Sequence, residues 1–463
     1  MKKSFSFKSK RATVFILFII STFIYITLPK HTALSLFQTS TLIQSSSIAL
    51  DDTILDIPSE QEKYLAYLPH SGLSNQRIEL ANALMMAYML NRTLIVPPAF
   101  LGTVFGWMPR PSLEDRLEWL TTPKNFAKIC QRPTPGKLPS YVQRSRCAEY
   151  RHFGTIPWTA LHDLDSLSEI NIKVQSVVSL SQIKKDLGLE DRDIYLHHDT
   201  QLYDWRLYEN QTQALDLLQN KLNYFDSFGG RRYYKVLLPH HFSRRTERLL
   251  YLGGIFGSSR LNLVNPEYKR MKQKIRRVLH YRLDTPLGET VKSIVDYMGG
   301  QGAFMSIHFR TGDRPFKNEI PANLESFVQR MTKAVSQPDY RFRQEEGCLA
   351  IAQDSQEHAD LVSIPEKHIK VYIATDYHHP RNEYSALLPW FEQFPCTTTL
   401  SDVPDYLFSP LDSIRDIVVP SKPLKGFLIP IIDAMVAAHG KKILTTPRST
   451  FSKYIEELHH AWL

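Results

Sequence analysis

Three polar residues stand within six positions of one another at His308, Arg310 and Asp313, and turn-forming Gly312 and Pro315 fall in the same short stretch. An arginine is charged at every accessible pH, and its planar fork grips a phosphate or carboxylate with two parallel hydrogen bonds. A neighbouring acid such as Asp313 can hold that fork in one orientation. The combination suits an anion-handling site. It also suits an ordinary strand-end salt bridge, which is the commoner use of an Arg–Asp pair. Other stretches decide between the two.

Two further places offer groups of the same kind. Ser449, Thr450 and Phe451 open the last helical pattern of the chain. Hydroxyl residues there serve as caps, but free N–H groups and hydroxyls at a helix start also make a phosphate seat. Near the other end, Gly72 and Asn75 lie just before a helical pattern, where a glycine allows a tight backbone path towards a ligand. Asp376 follows an apolar run in the position of a strand exit. Asp433 is the one acid on an otherwise apolar helix, and its carboxylate could pair with the two adjacent donors of a guanine. A cap or salt bridge is the alternative for Asp433.

These groups need elements to hold them. Residues 303–307 are small or apolar, as the inner strand of a parallel sheet requires. In open α/β sheets ligands bind outside the carboxyl ends of the strands, which is where Arg310 falls. Residues 64–68 predict a strand, 70–77 a loop, 78–90 a helix and 93–96 a second strand, together one βαβ unit. Met85, Met86 and Met89 on that helix read as core packing. Later stretches predict helices over 291–298, 323–335, 380–391 and 426–439, strands over 370–375 and 441–445, and an irregular insertion or helix over 344–358. Residues from about 100 to 290 are less regular. The basic run with Lys269, Lys272, Lys274, Arg276 and Arg277 reads as the solvated face of a helix, with an acceptor protein or anionic membrane as the functional alternative. The Asp-x-Asp pairs Asp163/Asp165 and Asp191/Asp193 follow no convincing strand and read as surface turns.

The chain has 463 residues and a formal net charge of +9. Neither zinc-finger spacing nor an RNA-binding aromatic signature accompanies that charge, so nucleic acid is not the expected partner. Residues 1–11 are basic and 12–28 almost wholly apolar and uncharged. Seventeen residues of helix span about 25 Å, enough for a thin bilayer. The segment reads as an uncleaved signal anchor with a cytoplasmic tail, and a cleaved signal peptide is the alternative. Residues 29–60 read as a stem, 61–290 and 291–463 as two globular domains. Asn91 and Asn210 head glycosylation sequons, Asn210 being the better placed. The cysteines, Cys130, Cys147, Cys348 and Cys396, allow three pairings. Cys130–Cys147 with Cys348–Cys396 is preferred, because each closes a loop within one half. No cysteine–histidine pattern suggests zinc.

Taken in order, these stretches resemble the GDP-fucose protein O-fucosyltransferase family. Gly72 to Arg77 with the following helix and the strand ending at Pro97 look like its N-terminal nucleotide-sugar loop. His308, Arg310 and Asp313 look like its His-x-Arg-x-x-Asp motif, and Asp376, Asp433 and Ser449 to Ser452 fall in the order of its C-terminal half. The resemblance implies an α/β, GT-B-like architecture, two Rossmann-type domains facing a cleft, behind an N-terminal transmembrane helix. It implies a metal-independent, inverting transfer of fucose from GDP-fucose, with no cofactor, to a glycoprotein hydroxyl, most simply that of Ser or Thr. It places the enzyme in the Golgi or endoplasmic reticulum membrane with its catalytic part lumenal. Another GDP-sugar, a glycan acceptor, or a non-catalytic glycoprotein-binding relative remain alternatives. By residue, Arg310 matches the arginine that assists departure of the β-phosphate, and Asn75 the asparagine reaching the donor from the N-terminal domain. His308 and Asp313 match donor-site residues, Asp433 a guanine-reading acid, and Ser449, Thr450 and Phe451 the phosphate-binding helix start. One departure stands out. Some members carry a glutamate beside the glycine loop as general base, whereas this chain has Pro69, His70 and Ser71 there. His70 is the candidate substitute, with a water-mediated proton transfer as the other route.

Overall fold

In the computed structural model of the chain, the described residues are 61–103, 105–122, 130, 141–179, 182–214, 226–228, 231–336, 340–345, 347–351 and 368–462. The predicted tail, membrane segment and stem lie outside them. Among the described residues no helix is long and apolar enough to cross a membrane. Residues 60–463 form one compact unit.

Two parallel sheets carry the unit. The first runs in the order Val174–Ser176, Thr93–Val96, Tyr64–Ala66, Leu249–Tyr251, Ile194–Leu196. Its central strand Tyr64–Ala66 pairs Tyr64 with both Thr93 and Leu249. The second runs in the order Thr397–Thr399, Val371–Thr375, Met305–Phe309, Ile443–Thr445. Inner strands of such sheets are covered on both faces and must be apolar on both, and Met305–Phe309 is buried at all five positions. The α/β class with parallel sheets is the one expected from the sequence; the part built on the first sheet is the first half and the part built on the second sheet the second half.

Most predicted elements appear, with shifts that have physical causes. The helix expected from residue 78 begins at Leu73 and runs to Leu90. Asn75 therefore sits in its first turn, and the polar run at 74–76 is explained by side-chain work rather than by a loop. Gln76, buried, donates to the carbonyls of Ser71 and Phe100 (2.9 and 3.0 Å) and accepts from the Phe100 N–H at 2.9 Å. Met85 and Met86 are core residues, as expected. Of the stretch expected as an irregular insertion or helix over 344–358, the described part belongs to an antiparallel hairpin, Phe342–Glu345 with Cys348–Ile351, and 352–358 lie outside the described residues. The hairpin is tied by the Cys348–Cys396 disulfide to the edge of the second sheet. The second disulfide is Cys130–Cys147, so the preferred pairing is the one formed. The helix expected over 380–391 is short, Leu388–Gln393. The basic helix Pro266–Val278 buries Met271 and Ile275 and exposes Lys269, Lys274 and Arg277, while Lys272 and Arg276 are half-buried and Arg276 pairs with Glu457. Asp163 and Asp165, like Asp191 and Asp193, belong to exposed 3-10 turns.

Two devices join the halves. The C-terminal helix Thr450–Trp462 follows the second sheet but reaches back to the first half. There Tyr454 donates to the Leu279 carbonyl at 2.7 Å, and the Arg77 guanidinium lies 3.4 Å over the Tyr454 ring. On the other side, the hairpin Ala99–Gly102/Phe153–Ile156 presents glycines to the second half. A Cβ on Gly154 would stand 2.6 Å from Leu424 Cδ2. Beside that contact Asp416, buried, accepts from the N–H and hydroxyl of Thr155 (2.8 and 2.6 Å) and from the N–H groups of Val418 and Val419 (2.8 and 2.9 Å). Asp416→Ala would strand several buried donors, each worth about 1–3 kcal/mol when unsatisfied. A loss of at least about 3 kcal/mol in urea unfolding is expected, and a change within about 0.5 kcal/mol would show that the junction does not depend on this carboxylate.

Candidate active site

Three adjacent parallel strands end at one place in the second half. Met305–Phe309 runs out into Arg310, Val371–Thr375 into Asp376, and Ile443–Thr445 into Thr446. The Arg310 N–H donates to Thr446 Oγ1 at 2.9 Å. Its guanidinium is held from two sides, Nε by Asp313 Oδ1 at 3.0 Å and Nη1 by Asp376 Oδ2 at 2.6 Å. One third of the arginine side chain stays exposed. Asp376 in turn accepts from Thr311 N (2.7 Å), Thr311 Oγ1 (2.9 Å) and Gly312 N (3.0 Å). Gly312 has no room for a side chain, since a Cβ would meet Asp376 Oδ2 at 2.6 Å. Asp376 therefore fixes both the arginine and the loop that follows it.

The C-terminal helix starts beside this cluster. Ser449 Oγ accepts from the Ser452 N–H at 3.2 Å, so it caps the helix. Ser452 Oγ lies 2.7 Å from His308 Nδ1, and the His308 and Phe451 rings meet edge to face at 5.3 Å. His308 belongs to the strand and is buried, where the sequence reading had it at a strand exit facing a ligand. Burial pulls its imidazole down to about 4. It orders the helix start from behind and does not line the cavity.

The first half contributes the N-terminal turn of Leu73–Leu90. Across the gap, Thr450 Oγ1 comes within 3.5 Å of Asn75 Oδ1. Between the halves lies a cavity of about 550 Å³. Its wall contains Gly72 and Asn75, Arg310 and Asp313, and Ser449, Thr450 and Phe451. Seven sequence-predicted residues from three distant stretches are thus brought together. The chain also matches the sequence profile of the family described as GDP-fucose protein O-fucosyltransferase over residues 64–461.

It belongs to that family. O-fucosyltransferase 30 of Arabidopsis thaliana is 65% identical over 37 residues, a match covering 8% of this chain and 7% of that protein. Among solved structures, POFUT1 in complex with GDP-fucose is similar at 11% identity and a TM-score of 0.39, covering 86% of this chain and 94% of that one. The fucosyltransferase NodZ from Bradyrhizobium is similar at 12% identity and a TM-score of 0.39, covering 86% and 93%. Likenesses at that level carry no functional argument here.

Two predicted residues stand elsewhere in this family member. His70, the candidate base, is fully buried. Its Nδ1 lies 2.8 Å from Ser71 Oγ, its Nε2 2.9 Å from Glu79 Oε1, and its ring packs edge-on against Phe256 at 5.6 Å. Glu79 also accepts from the His70 N–H at 3.0 Å. The pair pins the loop before the helix, and the base role has no access to the cavity. Asp433 accepts from Tyr372 Oη at 2.5 Å and Thr375 N at 3.1 Å. Burial pushes its carboxyl up to about 7. The cavity takes Gly426, Phe427, Pro430 and Ile431 from the same helix. Two residues beyond Ile431 the helix has turned by about 200°, so Asp433 faces the sheet instead.

Sequence reasoning missed Phe256, Phe316, Phe427 and Arg448 in the cavity wall. Phe427 and Ile431 have i, i+4 spacing, a detectable face, whereas Phe256 carries no local signal. Away from the cavity, His197, Asp199 and Asp204 gather ligand-type atoms within 4.8 Å. Lys235 Nζ stands 2.6 Å from Asp204 Oδ2 and the Arg260 cation is nearby, so the cluster's charge is already offset.

His308 makes a pH prediction. Above pH 6.5 its ring is neutral in both native and unfolded chains. Between 6.5 and about 4 the unfolded chain takes up the proton and the native one does not. Stability should therefore fall with acidification across that window, by about 3 kcal/mol from this group. In His308→Gln that part is absent, so the stability gap between the two proteins should narrow from pH 7 to pH 4.5. A gap that stays constant would contradict the buried neutral ring.

Proposed function

We propose that the chain moves fucose from GDP-fucose to a hydroxyl of a glycoprotein by a single displacement with inversion. The observation that carries this reading is the convergence of Arg310, Asn75 and Ser449 to Phe451 on one cavity, in a chain of this family. As the sugar–phosphate bond breaks, negative charge develops on the β-phosphate oxygen. A preorganised guanidinium and the start of a helix are suited to receive it. Arg310 is preorganised in this sense, because two carboxylates hold it before any ligand arrives. The electrophilic assistance needed by the departing diphosphate is then supplied by the protein's own cation and backbone, and the reading assigns no step to a metal. Phe256, Phe316, Phe427 and Phe451 give the wall aromatic faces that suit a base or a sugar ring. With His70 enclosed, the acceptor proton leaves through water in this reading.

The cellular setting is part of the proposal. An apolar segment at 12–28, two disulfides, and exposed sequon asparagines Asn91 and Asn210 support a lumenal, membrane-anchored enzyme of the Golgi or endoplasmic reticulum. The enclosure of His70 favours one second reading, a relative that holds glycoprotein without transfer. Both are tested by incubating the lumenal part with labelled GDP-fucose and secreted glycoproteins. Transfer by the unaltered chain is expected, and Arg310→Ala should lower it at least about a hundredfold with the fold intact. GDP binding with no transfer to any acceptor would select the second reading. Full activity in Arg310→Ala would refute the role given to that arginine.

A further inference from the structure

The cavity wall holds a second guanidinium, Arg448, which the function above does not use. It is the residue directly before Ser449 and Thr450, at the head of the C-terminal helix. Its backbone is left-handed, with φ of 66°, a conformation that costs a residue with a Cβ about 1 kcal/mol or more and is tolerated where the surroundings impose it. Its Nη2 is paired with Glu319. Glu319 closes the short 3-10 turn Phe316–Glu319, on the loop that begins with Arg310. Two thirds of the Arg448 side chain is exposed and about a third of that of Glu319.

The two arginines of the wall are therefore held very differently. Arg310 is locked by two carboxylates, one of which, Asp376, is itself fixed by backbone N–H groups. Among the described residues Arg448 is paired with Glu319, in an exposed pair of the kind that contributes little to stability. Exchanging Glu319 for a phosphate oxygen would cost the protein little and would place a doubly donating fork on a diphosphate. A diphosphate carries two anionic groups, and one locked cation cannot cradle both.

We propose that Arg448 is a second diphosphate-binding residue, released from Glu319 when the nucleotide enters. The chemical class it reads is a nucleoside diphosphate group, and the proposal rests on the GDP-sugar reading of the cavity. Arg310 serves the bond that breaks, while Arg448 serves affinity for the part that leaves. Glu319 is then a placeholder that competes with the ligand for the guanidinium.

The competition gives the test an unusual sign. Binding of GDP and of guanosine to the unaltered chain, Arg448→Ala and Glu319→Gln is measured by calorimetry at two salt concentrations. Arg448→Ala should bind GDP about tenfold more weakly, bind guanosine as before, and show a shallower salt dependence. Glu319→Gln should bind GDP at least as tightly as the unaltered chain, because the competitor is gone. If the pair only tethers two loops, the two variants will weaken GDP binding alike, or will weaken guanosine as much as GDP. Either result overturns the proposal, as does unaltered GDP affinity in Arg448→Ala. Thermal unfolding of both variants separates loss of fold from loss of ligand. Failure of the parent reading looks different, since there the unaltered chain itself would not bind GDP.

Discussion

A guanidinium held between two carboxylates at the mouth of a parallel sheet is the constraint on which the rest of the site depends. Asp313 grips one edge of Arg310 and Asp376 another. Asp313 follows three residues later on the same loop and Asp376 directly follows the neighbouring strand, so the arginine is fixed by its own loop and by the sheet. The strands must be parallel and in register for this to happen. Phe309 pairs with Thr375 and His308 with Thr445, which brings three carboxyl ends level. Ionic partners of this kind lower the reorganisation needed when a ligand's charge develops, which is how a fixed cation accelerates a reaction beyond its effect on binding.

The second half alone does not make a cavity. Its cavity-lining groups need the first turn of Leu73–Leu90, and the geometry of that turn is set from beneath by Gln76 and Glu79. The C-terminal helix connects the two halves physically. Its first residues line the cavity and its middle packs under Arg77, in the turn after Asn75. Any change in the spacing of the halves would thus be felt at both ends of the same helix. Asp416 and the glycine-faced hairpin hold the opposite side. The cavity lies where two independent anchorages meet.

How much of this was legible in the sequence follows from the range of each signal. The inner strand at 305–309 and the arginine beyond it were readable because a short apolar run ending in polar turn residues has few other meanings. Both disulfides followed from keeping each loop within one half. The serine-headed helix was readable as a helix start, though not that Ser449 would serve as cap and cavity wall together. His70 was misjudged because its partner Glu79 lies in the next element, and nothing local shows that a histidine will be enclosed. Asp433 stands off the cavity wall by helical phase. A lone acid on an apolar helix draws the eye, yet the face at Phe427 and Ile431 is the one turned to the cavity. Phe256 and the hairpin at 99–102 and 153–156 lie in the region without regular periodicity, where long-range packing and not local pattern decides position.

The central claim concerns where a diphosphate sits. The most direct measurement is a crystal structure of residues 61–463 with GDP bound. The account predicts a β-phosphate oxygen within about 3 Å of the Arg310 guanidinium, facing the backbone at the head of the C-terminal helix, with Asn75 contacting the nucleotide from the other half. A nucleotide bound outside this cavity, with Arg310 engaged only by Asp313 and Asp376, would contradict it.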